Sequence, residues 1–257
     1  MSAPGVFSRR DAIRLLGASA AGLALPGCRQ LGASTLGVAE GRLTARPHVP
    51  SKTATPGATA LGLDPARDSF LYIPKSYRPD APAPLAVLLH GAGQEAHELF
   101  NPLQPYADEL GIVLVAPNSR DSSWDIRYGS FGDDVVFINK TLERVFDQVR
   151  IASSKISLCG FSDGASYALS LGLVNGDLFS HVVAFSPGFM AHPDAVGKPK
   201  IYVTHGTADR VLDIDLTSRK LVPKLKSEGY DVQYREFDGP HTPPRAYIRD
   251  ILGWMVG

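Results

Sequence analysis

Apolar segments of strand length alternate with segments of helical periodicity along most of this chain. Residues 85–90 and 112–116 are continuous apolar runs, which is typical of strands buried on both faces. Further strands are predicted at residues 68–74, 155–159, 182–185, 201–204 and 232–237. Helical spacing of apolar side chains predicts helices at residues 134–149, 163–174, 216–227 and 243–255. This alternation predicts an α/β fold with a mainly parallel sheet, helices on both faces and no lid domain between the strands.

The N-terminal region has the features of an export signal. Arg9 and Arg10 precede a mildly apolar, Ala- and Gly-rich run, and the pattern resembles a twin-arginine signal over residues 1–27. The sequence LPGC that ends this region resembles a bacterial lipobox, so Cys28 is predicted to carry a lipid that anchors the protein to a membrane. A simple secretory signal with an incidental cysteine is the alternative. We expect export across the bacterial inner membrane, with the anchored protein facing the periplasm or the cell surface.

A second change of composition separates this signal from the folded part. Residues 28–60 are rich in Gly, Ala, Ser, Thr and Pro and have few large apolar side chains. Such a segment buries too little apolar surface to offset the entropy of ordering it, so a flexible tether is expected there. The folded domain is therefore predicted to occupy residues 61–257.

Charge and cysteine content argue against nucleic-acid binding and against a disulfide framework. Lys plus Arg and Asp plus Glu both number 26, so no net positive field would attract nucleic acid. The two cysteines lie far apart, one at the predicted lipid site and the other, Cys159, in a predicted strand. A disulfide framework is not expected, and Cys159 is interpreted as a small buried hydrophobic side chain.

The motif GFSDG at residues 160–164 joins a predicted strand to a predicted helix. A Gly-x-Ser-x-Gly turn in that position is typical of a nucleophile elbow, in which flanking glycines let strand and helix approach closely. Ser162 is therefore the predicted nucleophile. The alternative is a glycine-rich loop in which Ser162 only caps the following helix.

A serine nucleophile of this kind needs a histidine base and an acid, in the chain order serine, acid, histidine. Of the seven histidines, His241 is the one that follows the plausible acids, in a loop after the last predicted strand. Asp209 lies in the sequence HGTAD just beyond another strand, where its carboxylate would reach the same sheet edge as Ser162. Asp213 and Asp215 are rivals, although a position near a helix start accounts for them.

The remaining predicted site residues lie in loops that follow strands. The loop HGAG at residues 90–93 should supply one oxyanion donor, the Ala92 amide, and the residue after the nucleophile should supply the other, the Asp163 amide. His90 is interpreted as a structural residue of that loop. Trp124, Phe189 and Met190 are expected to line the substrate pocket, with ordinary loop packing as the alternative.

Four motifs together, LHGAG at 89–93, GFSDG, HGTAD at 205–209 and GPH at 239–241, resemble a bacterial α/β-hydrolase. The chain is similar to the group of carboxylesterases, feruloyl esterases and polyhydroxybutyrate depolymerase-like enzymes. That resemblance implies a serine esterase that cleaves small or polymer-borne carboxylic esters through an acyl-enzyme, with no metal or organic cofactor. Alternatives are a lysophospholipase or acyltransferase acting at the membrane, and a non-catalytic surface-binding lipoprotein. The oligomeric state is left open.

Overall fold

The computed structural model describes residues 37–191 and 194–257. The predicted export signal, Cys28 and residues 28–36 lie outside these ranges. Within them, none of the helices combines the length and the apolar character needed to cross a membrane.

An eight-stranded sheet forms the centre of the fold, with the strand order β1-β2-β4-β3-β5-β6-β7-β8. The strands are β1 Gly57–Ala60, β2 Phe70–Ile73, β3 Ala83–Leu89, β4 Val113–Ala116, β5 Ile151–Phe161, β6 His181–Phe185, β7 Lys200–Gly206 and β8 Val232–Phe237. β2 pairs antiparallel with β1 and β4, and the other neighbouring strands pair in parallel. The mainly parallel sheet predicted from the sequence is confirmed.

Helices cover both faces of this sheet, as predicted. They are α1 Ala96–Leu110, α2 Asp133–Gln148, α3 Asp163–Val174, α4 Ser218–Ser227 and α5 Ile248–Val256, with 3-10 turns at Asp125–Tyr128 and Arg245–Tyr247. α2, α3 and α4 pack on one face, where their apolar side chains join a large buried cluster. α1 and α5 pack on the other face.

The central strands supply side chains to both clusters because successive residues of a strand point to opposite faces. In β3, Val87 and Leu89 belong to the larger cluster, whereas Ala86 and Leu88 belong to the smaller one. Cys159 of β5 is buried and unpaired, which confirms its interpretation as a small core side chain. The loops at the carboxyl ends of these central strands are positioned by this buried scaffold.

The prediction of a flexible tether through residue 60 is wrong for the part of that segment that the structure describes. Leu43 and Ala45 are buried in the larger core cluster, and residues 57–60 form the edge strand β1. The side chain of Asn175, just after α3, accepts a hydrogen bond from Leu43 N at 2.9 Å and donates one to Gly41 O at 2.7 Å. Residues 41–46 therefore form a strap that belongs to the folded domain.

Candidate active site

Ser162 lies on the sharp turn between β5 and α3. Its backbone has φ 56° and ψ −119°, a conformation that is strained for a residue with a side chain. A Cβ on Gly160 would lie 2.0 Å from Gly164 O, and one on Gly164 would lie 2.2 Å from Leu89 O. Only glycine fits at these two positions, so the motif predicted as an elbow folds as a strand-turn-helix with Ser162 at its tip.

The structure brings Ser162, His241 and Asp209 together from three separate loops. His241 Nε2 lies 2.9 Å from Ser162 Oγ, and His241 Nδ1 lies 2.6 Å from Asp209 Oδ2. Because the carboxylate can only accept, we assign the imidazole proton to Nδ1, which leaves Nε2 free to accept the serine proton. The ring of Phe161 lies 4.8 Å from the imidazole and packs against it. The three side chains thus form a continuous hydrogen-bonded chain from Asp209 through His241 to Ser162.

Asp209 is held in place by its own turn. Its side chain has no solvent exposure, and its Oδ1 accepts hydrogen bonds from the amides of Val211 and Leu212 at 2.8 and 2.9 Å. Burial acts to raise the pKa of Asp209, but the hydrogen bonds from Leu212, His241 and Val211 outweigh it and hold that pKa below its usual value. The carboxylate is therefore ionised at neutral pH.

The rival acids do not reach the histidine. Asp213 is exposed and accepts a hydrogen bond from Asp215 N at 2.8 Å. Asp215 is also exposed and pairs with Arg219 at 2.8 Å, one turn along the chain. Both carboxylates thus serve the turn that leads into α4.

In the part of the chain that the structure describes, the backbone amides of Ala92 and Asp163 donate to no protein acceptor. The amides of Gly91 and Gly93 donate to acceptors within the protein. Between them, the Ala92 amide has no acceptor among residues 37–191 and 194–257, and neither does the Asp163 amide. The Asp163 amide also stands at the N-terminus of α3, where the helix dipole favours negative charge. These amides are suited to bind an oxyanion.

His90 has a structural role in the loop that carries Ala92, as predicted. Its Nδ1 lies 2.8 Å from Gly91 O, and its Nε2 accepts a hydrogen bond from Ser119 N at 3.0 Å. Burial lowers the pKa of His90, which favours this neutral imidazole. The ring therefore ties its own loop to the loop after β4.

The prediction that Trp124 lines the substrate pocket is wrong. Its side chain is fully buried, its ring packs 5.1 Å from Tyr167, and its indole N–H donates to His90 O at 2.8 Å. Phe189 and Met190 are half-buried and pack against the larger core cluster. Trp124 therefore packs inside its loop, as in the alternative interpretation, and does not line a pocket.

A cavity of about 300 Å³ opens beside His241, on the side of Phe161. Its apolar wall comes mainly from α1 and the start of α5, and polar side chains stand among its lining residues. The lining residues are Gln94, Glu98, Leu99, Pro102, Leu103, Phe161, His241, Thr242, Pro243, Arg245 and Ile248. Glu98, Leu99, Pro102 and Leu103 were not predicted because the sequence indicated no helix at residues 96–110.

Two further missed residues contact Asp163. The Asp163 carboxylate accepts a hydrogen bond from Ser123 Oγ at 2.8 Å and forms an ion pair with Arg127. A carboxylate beside an oxyanion site would repel the charge that forms there, and the guanidinium offsets that repulsion. No pattern in the sequence predicts these contacts with Asp163, because the loop after β4 brings Ser123 and Arg127 to it. Across the described ranges, no cluster of His, Cys, Asp or Glu is arranged to hold a metal ion.

The mainly parallel eight-stranded sheet with helices on both faces is the fold of an α/β-hydrolase. Residues 130–253 match the profile of the Phospholipase/Carboxylesterase family. A curated relative, feruloyl esterase C of Emericella nidulans, is 29% identical over 157 residues, which cover 58% of this chain and 57% of the relative. This chain thus spans little more than half the length of that relative. The predicted enzyme class, a carboxylic ester hydrolase, is supported by both matches.

Solved structures show the same fold at low sequence identity. A fluorophosphonate-binding serine hydrolase of Staphylococcus aureus, called FphF, has a TM-score of 0.62 and 17% identity, covering 79% of this chain and 100% of that one. An S-formylglutathione hydrolase from the same organism has a TM-score of 0.63 and 17% identity, covering 79% of this chain and 99% of that one. The predicted α/β-hydrolase fold is confirmed.

Proposed function

We propose that this protein is a serine carboxylic ester hydrolase in which Ser162 is the nucleophile, His241 the base and Asp209 the acid. The observation that carries the proposal is the continuous hydrogen-bonded chain from Asp209 through His241 to Ser162, at 2.6 and 2.9 Å. The strained backbone at Ser162 adds to it, because strain of this kind is retained at functional sites.

The proposed reaction is a two-step acyl transfer. His241 Nε2 takes the proton of Ser162 Oγ as that oxygen attacks the ester carbonyl, and the amides of Ala92 and Asp163 bind the oxyanion. The imidazolium then gives its proton to the leaving alcohol, and the acyl group stays on Ser162. Water, activated by His241, releases the acid and restores the serine. Asp209 keeps its charge throughout and orients the imidazole.

The cavity beside His241 favours a small or aromatic ester. Its volume of about 300 Å³ is at the lower end of small-molecule sites, and Leu99, Leu103 and Ile248 give it an apolar wall. A hydroxycinnamoyl ester, as in the name of the curated relative, has a flat aromatic group suited to such a wall. We propose that class of ester, with short aliphatic esters as general substrates.

The test is turnover of a series of esters by wild-type protein and Ser162→Ala. We expect hydrolysis of p-nitrophenyl acetate, p-nitrophenyl butyrate and methyl ferulate by the wild type, and none above background by the variant. Leu99→Phe should raise KM for methyl ferulate more than for the acetate, because it narrows the cavity. Leu110→Phe is the matched control, because Leu110 lies on the same helix but outside the cavity. Turnover that persists in Ser162→Ala would exclude the proposal.

The export signal and the lipid anchor at Cys28 remain part of the proposed function. An anchored enzyme would meet its substrate outside the cytoplasm. Membrane fractionation of the wild type and of Cys28→Ser tests this. Equal membrane association of both proteins would contradict lipidation at Cys28.

A further inference from the structure

His205 stands at the end of β7 and is not used in the proposed reaction. It has no solvent exposure, so it cannot touch a substrate. Its Nδ1 lies 2.7 Å from Ser218 Oγ on α4, and its Nε2 lies 2.8 Å from Leu212 O. The same Nε2 is 3.1 Å from Asp209 Oδ2, the carboxylate oxygen that also faces His241. A second imidazole is thus packed against the acid of the triad.

These neighbours determine which ring nitrogen carries the proton. Nε2 faces a carbonyl oxygen of Leu212 and an ionised carboxylate oxygen of Asp209, neither of which can donate a hydrogen bond. A lone pair on Nε2 would be repelled by both oxygens, so the proton is on Nε2. Nδ1 then accepts from Ser218 Oγ, which is buried and has a proton to donate. The two oxygens therefore fix the tautomer of His205, and Ser218 supplies the hydrogen bond that its other ring nitrogen accepts.

The Nε2–H group constrains both oxygens of Asp209. It donates to Leu212 O, and the amide of Leu212 donates in turn to Asp209 Oδ1. It also lies against Oδ2, on which His241 Nδ1 depends. The terminal torsion of an aspartate side chain is soft, so a carboxylate held only at Oδ1 can turn Oδ2 away from its partner. With His205 in place, its N–H group lies 3.1 Å from Oδ2, while the amides of Val211 and Leu212 hold Oδ1.

We propose that His205 is a positioning residue that holds the Asp209 carboxylate in the orientation His241 requires, with Ser218 holding His205. This inference rests on the proposed function, because it assigns a role only if Asp209 orients the catalytic base. His205 acts through Asp209 and makes no contact with the reacting atoms. Its removal should therefore lower kcat and leave KM almost unchanged.

The test compares His205→Leu, which removes the N–H donor but keeps apolar bulk, with His205→Gln, which can place an amide N–H near the position of Nε2. We expect His205→Leu to lower kcat by about 10- to 100-fold, the range seen when hydrogen-bond partners that orient metal-binding side chains are removed. KM should stay within about twofold, and His205→Gln should recover most of kcat. Ser218→Ala, a smaller change, should lower kcat in the same sense without raising KM.

His181→Gln is the matched control. His181 is a partly buried histidine on the neighbouring strand, with its Nδ1 3.0 Å from Ser180 Oγ, but it contacts the ring of Trp254 and lies away from the triad. Its substitution should leave kcat unchanged. Each rate is divided by the concentration of protein whose Ser162 reacts to completion with a fluorophosphonate. This normalisation removes misfolded protein from the measured kcat.

Each outcome decides the inference. Wild-type kcat in His205→Leu, or equal losses in the Leu and Gln variants, overturns it, and so does a change confined to KM. If His205→Leu does not fold, an unchanged kcat in Ser218→Ala overturns it instead. A wild type that neither turns over esters nor takes the label refutes the proposed function itself, which is a separate result.

Discussion

Asp209→Asn is the substitution whose effect the structure defines best. The asparagine Oδ1 can still accept from the amides of Val211 and Leu212, which lie 2.8 and 2.9 Å from the native Oδ1. Its NH2 group would then face His241 Nδ1, where the native carboxylate accepts at 2.6 Å. Two donors cannot share that contact, so the imidazole proton moves to Nε2. The base then has no lone pair for Ser162.

The magnitude follows from losing the correct tautomer while the geometry is kept. The equivalent change in the serine-protease triad lowers kcat about 10⁴-fold, and we expect a loss of that order here. At about 1.36 kcal/mol for each factor of ten, this is roughly 5 kcal/mol of transition-state stabilisation. The fold should change little, because the two amide contacts to Oδ1 remain.

The assay is steady-state hydrolysis of p-nitrophenyl acetate, with thermal unfolding followed by circular dichroism. Asp213→Asn is the matched control, since Asp213 is exposed and bonds only within its own turn. We expect the control to retain wild-type kcat and both variants to melt near the wild-type temperature. An Asp209→Asn variant that folds and stays within tenfold of wild-type kcat would refute the assignment of the acid.

Three further predictions concern the scaffold. Gly164→Ala should abolish activity and destabilise the fold by about 3 kcal/mol or more, measured by urea unfolding, because its Cβ would lie 2.2 Å from Leu89 O. Gly253→Ala, whose Cβ would have no neighbour within 4 Å, should do neither. Equal stability of the two variants would contradict this prediction. Leu43→Ala should cost about 2–5 kcal/mol by the same measurement, whereas Val49→Ala, at a side chain that is 79% exposed, should cost almost nothing. Burial raises the pKa of the Cys159 thiol, so iodoacetamide at pH 8 should modify this cysteine only in unfolded protein. The modification is read from peptide masses, and modification of Cys159 in the folded protein would contradict its burial.

The parallel part of the fold could be predicted because its strands are continuous apolar runs. The structure differs at α1, where Pro102 and Pro105 lie inside the helix and argue against it in the sequence. Packing of Leu99, Phe100 and Leu103 against the sheet stabilises this helix in spite of the prolines. The strap was missed for a related reason, since its partners lie about a hundred residues or more away in the chain.

The triad could be proposed from the sequence because each member follows a recognisable strand in the required order. The pocket could not, because its wall depends on α1 and on how that helix packs. Trp124 illustrates the difficulty: a tryptophan in a loop near a strand end resembles a pocket residue, and only the fold shows that Tyr167 and the His90 carbonyl bury it. The positions of Arg127 and His205 likewise depend on contacts between distant segments.

The proposed function depends on Ser162 being a nucleophile that His241 activates. The most direct test is the rate and site of fluorophosphonate labelling, read by mass spectrometry of the intact protein and its peptides. We expect a single adduct on Ser162 in the wild type and none in Ser162→Ala. Labelling should be slower by about a thousandfold or more in His241→Ala, since triad members act as a unit. Labelling at another residue, or a His241→Ala variant labelled at the wild-type rate, would contradict the proposed function.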